Sequence, residues 1–289
     1  MRKQFLVVLL FFAFLKAQQI ILPTKDNFEF IVKVSVKDTE IPSPPYGTRY
    51  VYEYTLINSP SSGQPICVYE IPWSAEYYYP SLYHYLKGDT SFSRVGYSTI
   101  PKRASWPDLC IQPGETASGF VFITKELPSI SDAYAEGLDT LIFTPEVYGL
   151  SEDIMEDTLR KIYYERTPYG PGKVYKTVGP GPLPPGWWEG DSTMYFVSDS
   201  GFYHLIDKTN KCFEQNWLLE RAKNHLISMY ERALRHYQNN RVEQAQRVLK
   251  QVMSYLERER GNLVFDEAFY ILYYRTKFVR EHLAWPAKK

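Results

Sequence analysis

The sequence predicts an α+β multidomain protein, with an N-terminal antiparallel β-sandwich followed by a C-terminal three-helix bundle. Three observations lead to this fold class. Short segments with strand character, separated by turn-forming residues, continue to about residue 148. A stretch crowded with proline and glycine follows at residues 167–186. Beyond Asp207 the apolar residues recur with the period of an amphipathic helix, about 3.6 residues.

The N-terminal residues indicate a secretory signal peptide over residues 1–19. Arg2 and Lys3 form a basic head, and an apolar run of about eleven residues extends from Phe5 to Leu15. A membrane span needs about 20 apolar residues, so this run is too short to be one, and no later window approaches that length. We therefore expect a secreted bacterial protein, periplasmic or extracellular, with no integral membrane span in the mature chain.

The first domain is expected to cover residues 20–166, as a β-sandwich that ends in a short helix. Its strand segments alternate apolar and polar residues, as strands with one buried face do. The turn-forming residues 58–63 favour a hairpin in which residues 66–71 return along the preceding strand. The expected strands cover residues 28–36, 50–57, 66–71, 120–123 and 140–144, and the expected helix covers residues 152–165.

A Pro/Gly-rich connector with short strands is expected at residues 167–206, and a helical module at residues 207–289. Proline fixes its own backbone and removes a hydrogen-bond donor, so residues 167–186 are expected to have extended polyproline character. Three apolar rows at helical spacing predict the three helices, and short breaks between them favour antiparallel neighbours. The breaks fall at Asn239-Asn240 and Gly261-Asn262.

Aromatic residues are unusually frequent, at 16% of the chain, including 25 tyrosines. Packing in a β-rich core is the commoner reason for such an excess, and stacking on sugars or peptides is the alternative. Consecutive side chains point in different directions, so the run Tyr77, Tyr78 and Tyr79 cannot be wholly buried. Trp187 and Trp188 come directly after the proline-rich residues 167–186 of the connector, where they either fix the connector to a domain or stack on a sugar. These five residues are the candidate ligand-binding residues.

Three cysteines follow the leader: Cys67, Cys110 and Cys212. An exported protein meets conditions that permit disulfides. Cys67 and Cys110 both lie in the β-rich half and are the preferred pair, because their link would close a loop of about 44 residues and stabilise the fold by roughly 3 to 4 kcal/mol in the chain-entropy model. A different pairing and three reduced thiols both remain open.

The net charge is zero but is unevenly distributed. Residues 213–289 contain 14 Lys and Arg against 9 Asp and Glu. The basic residues alternate with glutamates, as in the run Glu257-Arg258-Glu259-Arg260, which is typical of a solvated helix face. Nucleic-acid binding is therefore not expected. Contact between the two halves of the chain is the alternative interpretation of this asymmetry.

The sequence contains no recognisable catalytic or metal-binding motif. Its five histidines lack the paired helical spacing of a zinc protease. Nothing matches the G-x-S-x-G nucleophile turn, and the cysteines lack the local signatures of cysteine proteases. A carboxylate pair for glycoside hydrolysis needs only spatial proximity, so that class remains open. We expect a protein that is not an enzyme and that uses no cofactor or metal.

Two parts of the sequence resemble known modules. The segments 50–63 and 111–120, the latter leading to Leu127-Pro128, resemble strand-turn patterns of uncharacterised secreted bacterial proteins with an immunoglobulin-like sandwich. The C-terminal block resembles the FIMAH-like helical module that often ends such exported proteins. That second resemblance rests on Leu226, Ala233, Asn239-Asn240, Ala245, Leu249, Glu257, Gly261-Asn262-Leu263, Glu267-Ala268 and Leu272.

The resemblance implies an extracellular binding or structural role and transfers no catalytic residue. The function expected from the sequence is therefore that of an exported, non-enzymatic protein that binds a protein or a cell-envelope component. The alternative is carbohydrate binding or processing through exposed tyrosine and tryptophan side chains, with a polysaccharide as the partner.

Overall fold

The computed structural model describes residues 26–41, 47–72, 96–99, 102–106, 109–137, 172–189 and 194–284. In this part of the chain ten strands precede four helices. The strands are β1 (Phe30–Ile41), β2 (Gly47–Asn58), β3 (Ile66–Pro72), β4 (Gly96–Thr99), β5 (Lys102–Trp106), β6 (Thr116–Thr124), β7 (Leu127–Gly137), β8 (Lys173–Gly181), β9 (Gly186–Glu189) and β10 (Met194–Val197). The helices are α1 (Ser200–Glu214), α2 (Glu220–Gln238), α3 (Val242–Glu259) and α4 (Asp266–Glu281).

The strands form antiparallel sheets. One sheet has the order β1-β2-β6, a second has the order β4-β5-β3-β7-β8, and β9 pairs with β10. The leader, the strand expected at residues 140–144 and the helix expected at residues 152–165 lie outside the described residues.

The first two sheets face each other across an aromatic core. Tyr52 and Tyr54 point inward from β2 and are fully buried, as the alternation in the sequence predicts. The Tyr54 ring meets Tyr69 of the second sheet at a centroid distance of 5.9 Å. Both phenols donate to backbone carbonyls, Tyr52 to that of Glu126 at 2.8 Å and Tyr54 to that of Val178 at 3.1 Å. The tyrosine excess in these strands is therefore architectural.

The hairpin expected between residues 50–57 and 66–71 is wrong, because β2 and β3 belong to different sheets. The buried side chain of Asn58 marks the point where the chain crosses over. Its Nδ2 donates to the carbonyls of Gln64, at 3.1 Å, and Ile111, at 2.8 Å. The turn residues after Asn58 thus connect two sheets and do not reverse the strand within one sheet.

The Pro/Gly-rich stretch includes a paired strand. β8 covers Lys173–Gly181 and pairs with β7 along its length, where polyproline character was expected. Pro180 is tolerated because β8 lies at the edge of its sheet, where a missing backbone donor costs little. This strand also brings the end of the stretch, at Pro182, next to the helices.

The C-terminal part contains four helices among the described residues, so the expected three-helix count is wrong. The additional helix is α1. Its buried positions include Phe202, Leu205, Thr209 and Cys212, at the three- and four-residue spacing of a helix face. Thr209 satisfies its buried hydroxyl by donating to the Leu205 carbonyl at 2.8 Å, so a polar residue fits this apolar face.

The expected breaks between the later helices are confirmed. α2 ends before Asn240, whose φ of 58° is left-handed, and α3 ends before Gly261, at a φ of 76°. Asparagine and glycine adopt this backbone most readily. None of the helices within the described ranges has the length and apolar character needed to span a membrane.

Helix α4 joins the helices to the sheets. Three residues of one stretch of α4 contact two strands, β1 and β7, which belong to different sheets. The Tyr274 phenol donates to the Val36 carbonyl of β1 at 2.9 Å, and Lys277 pairs with Asp38 of the same strand. Arg275, fully buried, donates to the carbonyl of Pro128 in β7 at 2.6 Å. Packing on both sides explains why nine of the 16 residues of α4 are buried, against seven of 19 in α2 and seven of 18 in α3.

Candidate functional site

A groove runs along the outer side of α2 and α3. We call it the α2–α3 groove, and it consists of two overlapping sections of about 550 and 780 Å³. The sections share His225, Tyr255 and Arg258. α2 contributes His225 and Met229 to the lining, and α3 contributes Arg247, Lys250, Tyr255 and Arg258.

Each of the two helices forms one wall of the groove, because its groove-lining residues are spaced so that they lie on one helix face. On α2, Arg221, His225 and Met229 are four residues apart, so they lie above one another on the same face. On α3, exposed groove residues recur from Arg247 to Arg258 at steps of three and four. Most apolar residues of both helices lie on the opposite faces and pack in the core, whereas Met229 and Tyr255 lie at the bottom of the groove. The two exposed walls are therefore left facing the groove.

The floor of the groove is apolar and closed. Met229 and Tyr255 are each 7% exposed. The His225 ring covers the Tyr255 ring at a centroid distance of 4.4 Å, and the Arg258 guanidinium lies 5.3 Å from the same ring. Burial raises the pKa of Tyr255, which keeps the phenol neutral. The floor thus offers a ligand a small apolar contact and no open aromatic face.

The rim of the groove is cationic. Arg221, Arg247, Lys250 and Arg258 are exposed around it. Arg258 donates to Glu259 at 2.9 Å, and this hydrogen bond lowers the pKa of the carboxyl. Arg247 lies 3.6 Å from Glu243.

Two of the four rim cations, Arg221 and Lys250, form no salt bridge among the described residues. Glu259 is the acid that lines the groove, so the rim carries an excess of positive charge. The arrangement is able to hold negatively charged groups at its rim.

The ligand-binding residues expected from the sequence do not line this groove. Trp187 is on β9, 46% exposed, and stacks on Phe196 of β10 at 6.0 Å. Trp188 pairs with Tyr195 through the backbone. Tyr195 in turn packs on Phe278 of α4, so this two-stranded sheet is fixed to the helices. The expected site at Tyr77, Tyr78 and Tyr79 lies outside the described residues.

The three cysteines all lie in the described part of the chain, and no disulfide links them there. Cys67 in β3 is half-buried, Cys110 is exposed, and Cys212 in α1 is buried. Ile66 and Ile111 exchange two backbone hydrogen bonds of 3.0 Å, so Cys67 and Cys110 each adjoin the same antiparallel bridge. Burial raises the pKa of Cys212 to about 12, which makes this thiol unreactive.

A second group of titratable residues lies where α1 and α4 meet the sheets. The Arg275 guanidinium donates to the Pro182 carbonyl at 3.0 Å and to His204 Nε2 at 2.7 Å. Burial, together with the charge of Arg275, lowers the pKa of His204 to about 3 and that of Lys208 to about 8. Burial also lowers the pKa of Arg275 itself, to about 10. These groups hold α4 and α1 against β7 and β8.

In the described part of the chain, no group of three or more His, Cys, Asp or Glu residues is placed to hold a metal ion. Comparisons of this chain with protein-family models, curated proteins and solved structures found no match.

The α2–α3 groove was not predicted from the sequence, because the alternating charges of these helices were interpreted as solvated faces. The sequence does show the row of basic residues from Arg247 to Arg258. This row lines a groove only because α2 packs beside it, and the sequence alone does not show which helix is the neighbour.

Proposed function

We propose that the chain is an exported, non-enzymatic binding protein of the bacterial cell envelope or extracellular space, and that it recognises a protein or envelope component through the α2–α3 groove. One observation carries the proposal. Exposed cations surround a closed apolar floor in this groove, and two of them, Arg221 and Lys250, have no salt-bridge partner among the described residues. Cationic side chains around an apolar contact are a common arrangement for recognising a partner surface.

The proposed architecture is an immunoglobulin-like sandwich followed by a FIMAH-like module. Two facing antiparallel sheets and a block of packed helices support this division of the chain into two modules. The sheets support α4, α4 supports α3, and α3 forms one wall of the groove. The β part would thus act as a scaffold and the helices as the recognition module.

A position-specific crosslink tests the binding role. A photoreactive residue is introduced at Ser254, which lines the groove, and at Gln244, an exposed α3 residue outside it. Each protein is irradiated with cell-envelope fractions, with and without excess unmodified protein. We expect a discrete adduct from position 254 alone, suppressed by the competitor. Equal adducts at both positions, or none at either, would contradict binding of an envelope component in the groove.

Fractionation of producing cells tests export. We expect the mature chain outside the cytoplasm, with an N-terminus close to Gln18. A full-length chain retained in the cytoplasm would rule out this part of the proposal.

Carbohydrate binding is the second candidate function, and the exposure of Trp187 favours it. The residue is 46% exposed and its indole ring stacks on Phe196, and a fixed, exposed aromatic side chain suits stacking on a sugar. Polysaccharide pull-down with the parent protein and with Trp187→Ala tests this candidate. Binding lost in the variant would support it, and the absence of binding to any glycan would remove it.

A further inference from the structure

We infer that the α2–α3 groove binds an acidic peptide segment of a partner protein. The inference rests on the proposed function and names its ligand class. The groove is on the side of α2 and α3 that faces away from the helix core, and its rim side chains are exposed. A chain that lies along it meets both helices at once.

Charge complementarity selects an acidic ligand. Arg221, Arg247, Lys250 and Arg258 surround the groove, and Glu259 is the acid that lines it. Arg258 already has Glu259 as its partner, and the charge of Arg221 also acts on this carboxylate, so one acid faces four exposed cations at the rim. Arg247 is held by an exposed contact of 3.6 Å with Glu243, which is too weak to exclude a second carboxylate. Guanidinium groups bind carboxylates in a fork geometry, so two arginines favour carboxylate ligands.

The floor distinguishes a peptide from an acidic polysaccharide. Sugar rings stack on open aromatic faces, but the Tyr255 ring is covered by His225 and Arg258 and is 7% exposed. Met229, beside it, has a flexible and polarisable side chain that adapts to aliphatic groups. The floor therefore suits an apolar side chain between the acidic residues of a peptide.

The length of the groove sets the size of the segment. Arg247 and Arg258 are eleven residues apart on α3, which corresponds to about 16 Å along the helix axis. An extended peptide covers this distance with about five residues. The expected ligand is a short segment with two or three acidic residues and at least one aliphatic residue.

Fluorescence anisotropy with the full-length mature chain tests the inference. The probe is a labelled decapeptide that contains five glutamates and three leucines. The same peptide with glutamine in place of glutamate and a labelled oligogalacturonate serve as comparison probes. The groove variant is Arg247→Gln with Lys250→Glu. The matched control is Arg235→Gln with Arg241→Glu, two exposed basic residues outside the groove with the same change in charge.

We expect the acidic peptide to bind the parent chain and the groove variant to weaken it about tenfold, because attraction is lost at two positions and repulsion is added at one. The control variant should stay within about twofold of the parent chain, and circular dichroism should show both variants folded. Equal weakening in the two variants would indicate attraction by net charge alone and would overturn the inference. Equal binding of the glutamine peptide would overturn it as well.

The two proposals fail in different ways. Groove-dependent binding of the oligogalacturonate without binding of the peptide would overturn the peptide class, while an adduct at position 254 would still support a binding role. Peptide binding without any adduct at position 254 would support the ligand class and contradict the envelope partner.

Discussion

The Arg275 guanidinium donates a hydrogen bond to His204 Nε2 across 2.7 Å. A guanidinium has only donors, so this nitrogen must accept and His204 must be neutral with its proton on Nδ1. The same guanidinium donates to the carbonyls of Pro128 and Pro182. Arg275, a residue of α4, thus connects this helix to β7, to the chain after β8 and to α1. The dipoles of the two carbonyls and of the His204 ring stabilise its positive charge.

Loss of this guanidinium should destabilise the protein strongly. We expect Arg275→Ala to lower the free energy of unfolding by about 4 kcal/mol, because buried carbonyls lose their donor and a cavity forms. Urea unfolding measures the change. Arg235→Ala, at an exposed arginine of α2, should change the value by less than about 0.5 kcal/mol. Similar values for the two variants would show that Arg275 does not join the elements energetically.

His204 should make stability depend on pH. Its pKa is lowered to about 3 in the folded protein, whereas an unfolded histidine has a pKa of about 6.5. Between these two pKa values His204 takes up a proton in the unfolded chain but not in the folded protein. The free energy of unfolding therefore decreases as the pH falls from about 6.5 towards 3. At pH 5 the loss should reach about 2 kcal/mol.

Urea unfolding of the parent chain and of His204→Gln at pH 7.5 and pH 5 tests this dependence. The carboxyl groups titrate in both proteins, so the difference between them isolates the histidine. The variant should lose less stability on acidification. An identical pH dependence in both proteins would refute the neutral, buried state of His204.

Asn58 should be far more important than an exposed asparagine with the same kind of hydrogen bond. We expect Asn58→Ala to cost about 2 to 3 kcal/mol, because the buried carbonyls of Gln64 and Ile111 lose their donor. Asn239 also donates its Nδ2 to a carbonyl, that of Arg235 at 2.7 Å, but it is exposed. Asn239→Ala should therefore cost less than about 1 kcal/mol. Equal thermal shifts for the two variants would contradict this assignment.

The cysteines should differ sharply in reactivity. In the reduced native protein, a brief exposure to iodoacetamide should label the exposed Cys110 first and leave the buried Cys212 unlabelled until denaturant is added. In protein recovered from an oxidising compartment, peptide mapping without reductant should find Cys67 linked to Cys110. A link from Cys212 to either of them would refute this pairing.

Periodicity predicted much of the fold, because it reports which face of an element is buried. The inward tyrosines of β2 and the buried rows of α2 and α3 follow from it directly. Periodicity does not report which strand is the neighbour, so the crossing at Asn58 was mistaken for a hairpin. α1 was missed because its first two turns, from Ser200, lie in the stretch that was expected to be a connector.

The candidate site was harder to predict than the fold. The basic residues of α3 are visible in the sequence, but a groove exists only where their row lies beside His225 and Met229 of α2. Trp187 was singled out from its chemistry; it is exposed on β9, away from the groove, and its role in ligand binding stays a prediction. A site made from two helices depends on tertiary packing that one sequence does not show.

The position of α4 in the chain also sets an order of assembly. Tyr274 and Lys277 contact β1 residues that precede them by 238 and 239 positions. During synthesis, the sheet that contains β1 is therefore made long before the helix that covers it. A chain that ends before Asp266 would leave the Tyr50 ring, which packs on Tyr274 at 5.5 Å, without its cover. The core next to β1 is therefore covered only after α4 has been synthesised.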